Sequence, residues 1–184
     1  MRIVGGRFKG RSIAGPKSDA IRPTSDRLRE SLFNVLAHAY DDACDGARVI
    51  DLFAGTGALA LEALSRGAVF AALVDQGTEA RGLIRGNVDA FGLSGVTSVL
   101  RRDATKLGEV SPFEPFTLMF CDPPYGKGLA ERALTSARDG GWLKPAALVV
   151  VEEAAEAAVS LPEGFALEER RAAGDTQLLI ARRA

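Results

Sequence analysis

Apolar positions along the chain follow two different rhythms. From Ser25 or Asp26 to about Tyr40, Leu28, Leu32, Val35, Leu36 and Ala39 recur at i, i+4, i+7 and i+8. That stripe predicts an amphipathic helix. Arg27, Glu30 and Asn34 fall on its opposite face, and Thr24, Ser25 or Asp26 can cap it after Arg22-Pro23. Beyond it, short unbroken apolar runs predict strands at 48–53, 69–74, 96–100, 116–121 and 146–151. Helical patterns at 58–66, 78–91 and 128–139 lie between them, with Gly92 where a C-cap belongs. Strands without polar alternation are covered on both faces, so the pattern predicts a parallel sheet inside two helical layers. After Pro162 the rhythm changes. Runs at 165–171 and 177–181 are separated only by a Gly-Asp turn and predict an antiparallel pair.

Length and composition narrow this picture. The chain has 184 residues, 47% hydrophobic and 26% charged, which suits one soluble domain. No run of about 18 apolar residues occurs, so no membrane-spanning helix is expected. The first eleven residues are too charged for a signal peptide, and a cytoplasmic protein is expected. One histidine (His38) and two distant cysteines (Cys44, Cys121) leave no zinc-ligand spacing, so no metal is expected.

The net charge of -1 hides an asymmetry. Residues 1–34 carry eight basic and three acidic side chains, a net of +5, and the other 150 residues carry a net of -6. Such a split suits a phosphate backbone, as it also suits a merely solvated surface. Gly5, Gly6, Gly10 and Gly15 favour a hairpin or packed loop over a helix in this arm. The boundary expected is 1–24 for the basic extension and 25–184 for the body.

Candidate chemistry gathers at the ends of the strands. Asp51, Asp75 and Asp122 close the first, second and fourth runs, and Asp103 follows the third. In wound parallel sheets ligands bind beyond the carboxyl ends of the strands. The first end reads Asp51-Leu52-Phe53-Ala54-Gly55-Thr56-Gly57-Ala58-Leu59-Ala60. Its glycines permit a tight turn and close approach to a ligand. Gly55-x-Gly57-x-x-Ala60, with Asp75 about 20 residues on to hold a ribose diol, fits a loose nucleotide fingerprint. Asp51 discriminates between ligands. A carboxylate there repels a pyrophosphate and attracts the ammonium and sulfonium of S-adenosylmethionine. Asp103 would accept from the adenine amino group, beside the Ala104 backbone. Asp51 can equally brace the loop.

Asp122-Pro123-Pro124-Tyr125 is the sharpest local signal. Two prolines fix the backbone and leave carbonyls free to accept. The Asp122 carboxylate and the Pro123 carbonyl could bind both hydrogens of an exocyclic amino group. They would stabilise the positive charge that grows there on methyl transfer. Tyr125 would stack on the base. By strand alternation Cys121 should point away from Asp122, a buried small hydrophobe rather than a nucleophile. His38 reads as a helix surface or packing residue.

Asp51–Ala60 resembles motif I of class I methyltransferases, and Asp122–Tyr125 resembles their amino-methylating motif IV. With Arg2–Arg11, Arg22-Pro23-Thr24-Ser25-Asp26-Arg27-Leu28-Arg29-Glu30-Ser31-Leu32-Phe33-Asn34 and Gly174-Asp175-Thr176, nearly the whole chain resembles the bacterial RsmD-type 16S ribosomal RNA guanine-N2 methyltransferases. The resemblance implies a Rossmann-like α/β fold, a mostly parallel seven-stranded sheet with the last strand antiparallel, and an N-terminal β-hairpin extension. It implies S-adenosylmethionine as methyl donor. The acceptor it implies is a guanine of 16S ribosomal RNA in the small subunit or its assembly intermediate. Cofactor contacts are then expected at Asp51, Phe53, Ala54, Gly55, Thr56, Gly57, Asp75, Gln76, Asp103 and Ala104. Catalysis is expected at Asp122, Pro123, Pro124 and Tyr125. RNA contacts are expected at Arg2, Arg7, Lys9, Arg11, Arg22 and Arg27, although Arg22 and Thr24 could instead close over the cofactor's methionine end. A monomer is expected. Thr56, Ala60 and Thr117 stand where the family commonly has Ser, Gly and Asp, and Gln76-Gly77 is atypical. DNA adenine-N6 or protein glutamine-N5 methylation would use the same four-residue chemistry, and an NAD-binding or non-catalytic RNA-binding module is the remaining alternative.

Overall fold

Successive residues of each apolar run leave the sheet on opposite sides, and both sides are covered. The computed structural model describes residues 1–184. Its elements are α1 (Asp26–Ala39), β1 (Arg48–Leu52), α2 (Ala58–Ser65), β2 (Phe70–Val74), α3 (Thr78–Ala90), β3 (Thr97–Leu100) and β4 (Phe116–Cys121). They continue with α4 (Leu129–Asp139), β5 (Leu143–Ala154), β6 (Phe165–Ala173) and β7 (Thr176–Arg183). Val49, Leu73, Phe120 and Val150 pack into one core with α1, α2 and α3. Ile50, Val74, Met119 and Val151 pack into the other with α4 and Trp142. This is the two-sided burial that unbroken apolar strands require.

The sheet order is β3-β2-β1-β4-β5-β7-β6. β1 to β5 pair in parallel, and β7 lies antiparallel between β5 and β6. The fold is therefore the Rossmann-like class I methyltransferase arrangement with its last strand reversed. β6 takes the outer edge with Glu168, Glu169, Arg170 and Arg171, charges that discourage pairing with another chain.

β5 is longer than its apolar run of 146–151. Antiparallel pairing with β7 carries it on through Glu152, Glu153 and Ala154, which face Leu178, Gln177 and Thr176. The third strand begins one residue late because Ser94–Val96 forms a 3-10 turn. Of the three possible caps of α1, Ser25 acts, accepting from the Leu28 N–H at 3.1 Å.

The N-terminal arm turns back on itself before α1. Ile3 N–H donates to Arg11 O, Gly10 N–H to Ile3 O and Ile13 N–H to Met1 O, around a single Arg2–Ser12 bridge. Its apolar side chains, Ile3 and Ile13, are buried in the body's core. Its backbone lies on the end of α2: Arg7 N–H donates to Ser65 O, and Phe8 N–H to Ser65 Oγ. Gly6 has φ +76°, and a Cβ there would meet Ser65 O at 2.0 Å, so this approach needs glycine.

Candidate active site

Strand register explains why acidic side chains meet at one edge. Leu52 pairs with Val74 and with Cys121, and Cys121 pairs with Val151. One residue beyond this row lie Phe53, Asp75, Asp122 and Glu152. A cavity of 640 Å³ opens over them, within the range of small-ligand sites. Its walls are the glycine loop, Asp75 with the start of α3, Asp122–Tyr125, Glu152 and a strap formed by Asp19–Thr24.

The glycine loop is shaped by backbone geometry. Phe53 adopts φ +58°, a conformation that costs a non-glycine residue about 1–3 kcal/mol and tends to mark functional turns. Gly57 has φ +82°, and a Cβ there would stand 3.1 Å from Leu73. Asp75 braces the loop: its Oδ2 accepts from Gly55 N–H at 3.0 Å and its Oδ1 from Gly77 N–H at 2.8 Å. Asp51 is less well served. Its Oδ2 accepts from Ala60 N–H at 3.2 Å, and its Oδ1 is buried with no partner. Burial pushes the Asp51 carboxyl well above the usual carboxylate range, and the charge of Asp75 adds to this. A buried acceptor without a donor is costly, unless a ligand supplies the donor.

At the other end of the cavity two carboxyl groups share one hydroxyl. Thr24 Oγ1 lies 3.2 Å from Asp122 Oδ2 and 3.3 Å from Glu152 Oε2. The Tyr125 hydroxyl donates to Glu152 Oε1 at 2.5 Å. Arg22 sits 5.0 Å over the Tyr125 ring and 3.6 Å from Asp175 in the β6–β7 turn. Asp122 keeps part of its surface open to the cavity and is otherwise enclosed. Burial pushes its carboxyl well above the usual range, and the charge and hydrogen bond of Glu152 act in the same direction. The Tyr125 hydroxyl is also pushed up, by burial and then by Glu152. Acceptors thus dominate both ends of the cavity, a composition suited to a cationic ligand and to an amino group.

The chain matches the family model described as Conserved hypothetical protein 95 over residues 1–182. Ribosomal RNA small subunit methyltransferase D of Escherichia coli K12 is 34% identical over 184 residues, 100% of this chain and 90% of the relative. The protein of that name from Haemophilus influenzae is 30% identical over 177 residues, 95% of this chain and 89% of the relative. The chain belongs to the RsmD family of methyltransferases. A solved Escherichia coli structure, named as a methyltransferase, superposes with a TM-score of 0.83 at 34% identity, covering 100% of this chain and 97% of that one.

In this RsmD-family chain the expected residues divide into two groups. Asp51, Phe53, Ala54, Gly55, Thr56 and Asp75 wall the cavity, as do Asp122, Pro123, Pro124 and Tyr125. Gly57 shapes the loop behind the wall. Gln76 is exposed, with its carbonyl accepting from Arg81 at 2.5 Å. Asp103 and Ala104 lie off the walls, where Asp103 Oδ1 accepts from the Thr105 hydroxyl and N–H and its carboxyl is held low by both bonds. Of the arm's cations, Arg22 alone reaches the cavity. Arg2 donates to Gly10 O at 2.7 Å, and Arg11 donates to Ala90 O at 2.7 Å while covering Phe91. Arg7 lies 4.5 Å over Phe8, whereas Lys9 and Arg27 are exposed. Cys121 packs into the α4 core, away from Asp122, and its thiol is pushed up by burial. His38 is exposed on the last turn of α1.

Among the carboxylates that line the cavity, Glu152 is one that sequence reasoning missed. The signal for Glu152 was present: the fifth apolar run, like three of the other four, ends directly at an acidic residue.

Proposed function

We propose that this protein transfers a methyl group from S-adenosylmethionine to the exocyclic N2 amino group of a guanine in 16S ribosomal RNA, in the small subunit or its assembly intermediate. The observation that carries this is one cavity with the orphaned Asp51 Oδ1 at one end and Asp122-Pro123-Pro124-Tyr125 at the other. The printed names of the Escherichia coli and Haemophilus influenzae relatives, which specify small-subunit ribosomal RNA, support the choice of acceptor.

The residues present fit the donor molecule. S-adenosylmethionine supplies an electrophilic methyl group on a sulfonium. Asp51 Oδ1 would accept from its ammonium, which ends the costly isolation of that oxygen. The Asp75 carboxylate has lone pairs beyond its two backbone bonds and would take the ribose hydroxyls. Asp103 and Ala104 would approach the adenine from the β3 side. Asp122 and the Pro123 carbonyl would hold the two N2 hydrogens, turn the nitrogen lone pair toward the methyl carbon and stabilise the developing cation. Tyr125, with Arg22 on one face of its ring, would offer the other face to the guanine. The guanine must first leave its stack, as bases do for such enzymes. Lys9, Arg27 and Arg7 are the cations most available to phosphates.

Tritium transfer to 30S particles from cells lacking the enzyme tests this reading. The expected product is N2-methylguanosine in 16S RNA. Asp122→Ala should lower the rate by about 10²–10³ or more while calorimetry still detects S-adenosylmethionine binding. Label in DNA or protein instead of RNA would overturn the acceptor assignment, and full activity of Asp122→Ala would overturn the chemistry.

A further inference from the structure

Glu152 is the carboxylate that the methyl-transfer scheme leaves without a task. It is buried on β5, beside Asp122 in register, yet it opens onto the same cavity. The Thr24 hydroxyl faces both Asp122 Oδ2 and Glu152 Oε2. A hydroxyl donates one hydrogen bond only, so it cannot satisfy both carboxylates at once. The other Glu152 oxygen is fixed by Tyr125. The charge of Glu152 and its hydrogen bonding therefore act directly on the Asp122 carboxyl and strengthen its hold on a proton.

We propose that Glu152 is a positioning residue that makes Asp122 the acceptor of the proton lost by the methylated amino group. This rests on the amino-group methylation proposed above. As the N2 lone pair forms the new N–C bond, the C–S bond breaks and its electron pair stays on sulfur. The nitrogen then carries the methyl group, two hydrogens and a positive charge. One N–H bond breaks, its electrons return to nitrogen, and the proton passes to the Asp122 carboxylate. One cation and one carboxylate become a neutral thioether, a neutral methylamino group and a neutral carboxyl group. The proton later leaves to water through the cavity mouth.

The neighbouring charges favour this. The charge of Asp51 on β1 strengthens the hold of Asp122 on a proton, and the charge of Asp75 acts on Asp51 in the same sense. Glu153 is turned away, accepting from the Gly126 and Ala154 N–H groups. From β7 the facing residue is the neutral Leu178. The cation nearby is Arg22, over the Tyr125 ring and paired with Asp175.

Two variants move the pair in opposite directions. Glu152→Gln keeps an acceptor for Tyr125 and removes the charge. Tyr125→Phe removes a hydrogen bond that stabilises the Glu152 charge. Single-turnover transfer to unmethylated 30S particles should rise with pH to a plateau in the parent protein. In Glu152→Gln the midpoint should move to lower pH and the plateau should fall at least about tenfold. In Tyr125→Phe the midpoint should move to higher pH. A purely structural role would lower the rate at every pH and leave both midpoints in place, which would overturn the proposal. The second readout needs no transfer. Calorimetric titration with S-adenosylmethionine in two buffers of different ionisation enthalpy should show less proton release from Glu152→Gln than from the parent protein, the remainder coming from Asp51 under the ligand's ammonium. Equal release from both would also overturn it. Failure of the parent protein to methylate RNA would instead count against the proposed function, because the difference in proton release between the two proteins involves no RNA.

Discussion

Glu62 and Asp51 are both carboxylates sealed inside the fold, 0% and 1% exposed, and they behave as opposites. Glu62, on α2, is saturated. Its Oε1 accepts from Val4 N–H and from Arg29, each at 3.0 Å. Its Oε2 accepts from Gly5 N–H and from Arg66 Nε, each at 2.9 Å. Arg29, also fully buried, reaches on to Asp26 and to Arg2 O. Asp51, at the mouth of the sheet, has one backbone donor and one bare oxygen. A buried charge with all its partners is a joint that holds elements together; one lacking them is kept for something outside the chain. Glu62 ties the N-terminal arm, α1 and α2 into one body, and Asp51 waits at the ligand edge.

The comparison breaks if the two acids respond alike to removal. Glu62→Ala should have the largest effect. It would leave Arg66 without its carboxylate, Arg29 with Asp26 as its one remaining carboxylate, and two backbone N–H groups unpaired, a loss of about 3–5 kcal/mol. For a chain of this size that is a fall in melting temperature of roughly 10 °C. Scanning calorimetry at neutral pH checks it. A change of only one or two degrees would show that Ile3, Ile13 and the bonds to Ser65 hold the arm without Glu62.

Asp51→Asn should move stability the other way. Burial holds the Asp51 carboxyl above its unfolded value, so its protonated form favours the fold. That contribution is complete below the unfolded value and is lost as pH rises through the folded one. Asparagine does not ionise. The variant should therefore melt above the parent protein at pH 8, with the gap closing toward about pH 4. Its affinity for S-adenosylmethionine should fall about 10–100-fold, the worth of one hydrogen bond between charged partners. Lowered stability with unchanged affinity would make Asp51 a brace like Glu62.

Much of this is legible in the amino-acid sequence itself. Unbroken apolar runs gave five strands in order, because two-sided burial leaves no polar face to confuse the reading. Asp51, Asp75 and Asp122 were found because each ends such a run. Glu152 follows Val151 as Asp122 follows Cys121, so the same rule reaches it. What the local run does not show is that β5 continues beyond Val151, because that extension comes from long-range antiparallel pairing with β7. The strap at Asp19–Thr24 was legible only as the alternative that Arg22 and Thr24 close over the cofactor, since its position comes from Thr24 meeting Asp122 and Glu152, 98 and 128 residues away. Charge counting gave the basic arm its sign but not its division of labour.

That division supplies the smallest and most discriminating test. Arg11 and Lys9 are two residues apart, and charge counting treats them as equals. Arg11 is spent on the fold, donating to Ala90 O and lying 4.3 Å over Phe91, with Phe8 edge-on beside that ring. Lys9 has only a backbone bond, from its N–H to Gly6 O. Arg11→Ala should lose about 0.5–1 kcal/mol, the worth of an exposed cation–π contact. Lys9→Ala should leave the melting curve unchanged. Binding to 30S particles across a salt series should show the reverse. If Lys9 meets a phosphate, Lys9→Ala reduces the slope of log affinity against log salt by about 0.7–0.9. An unchanged slope for Lys9→Ala would place Lys9 on the Glu62 side of the comparison and leave the RNA grip to Arg7, Arg27 and the cavity rim.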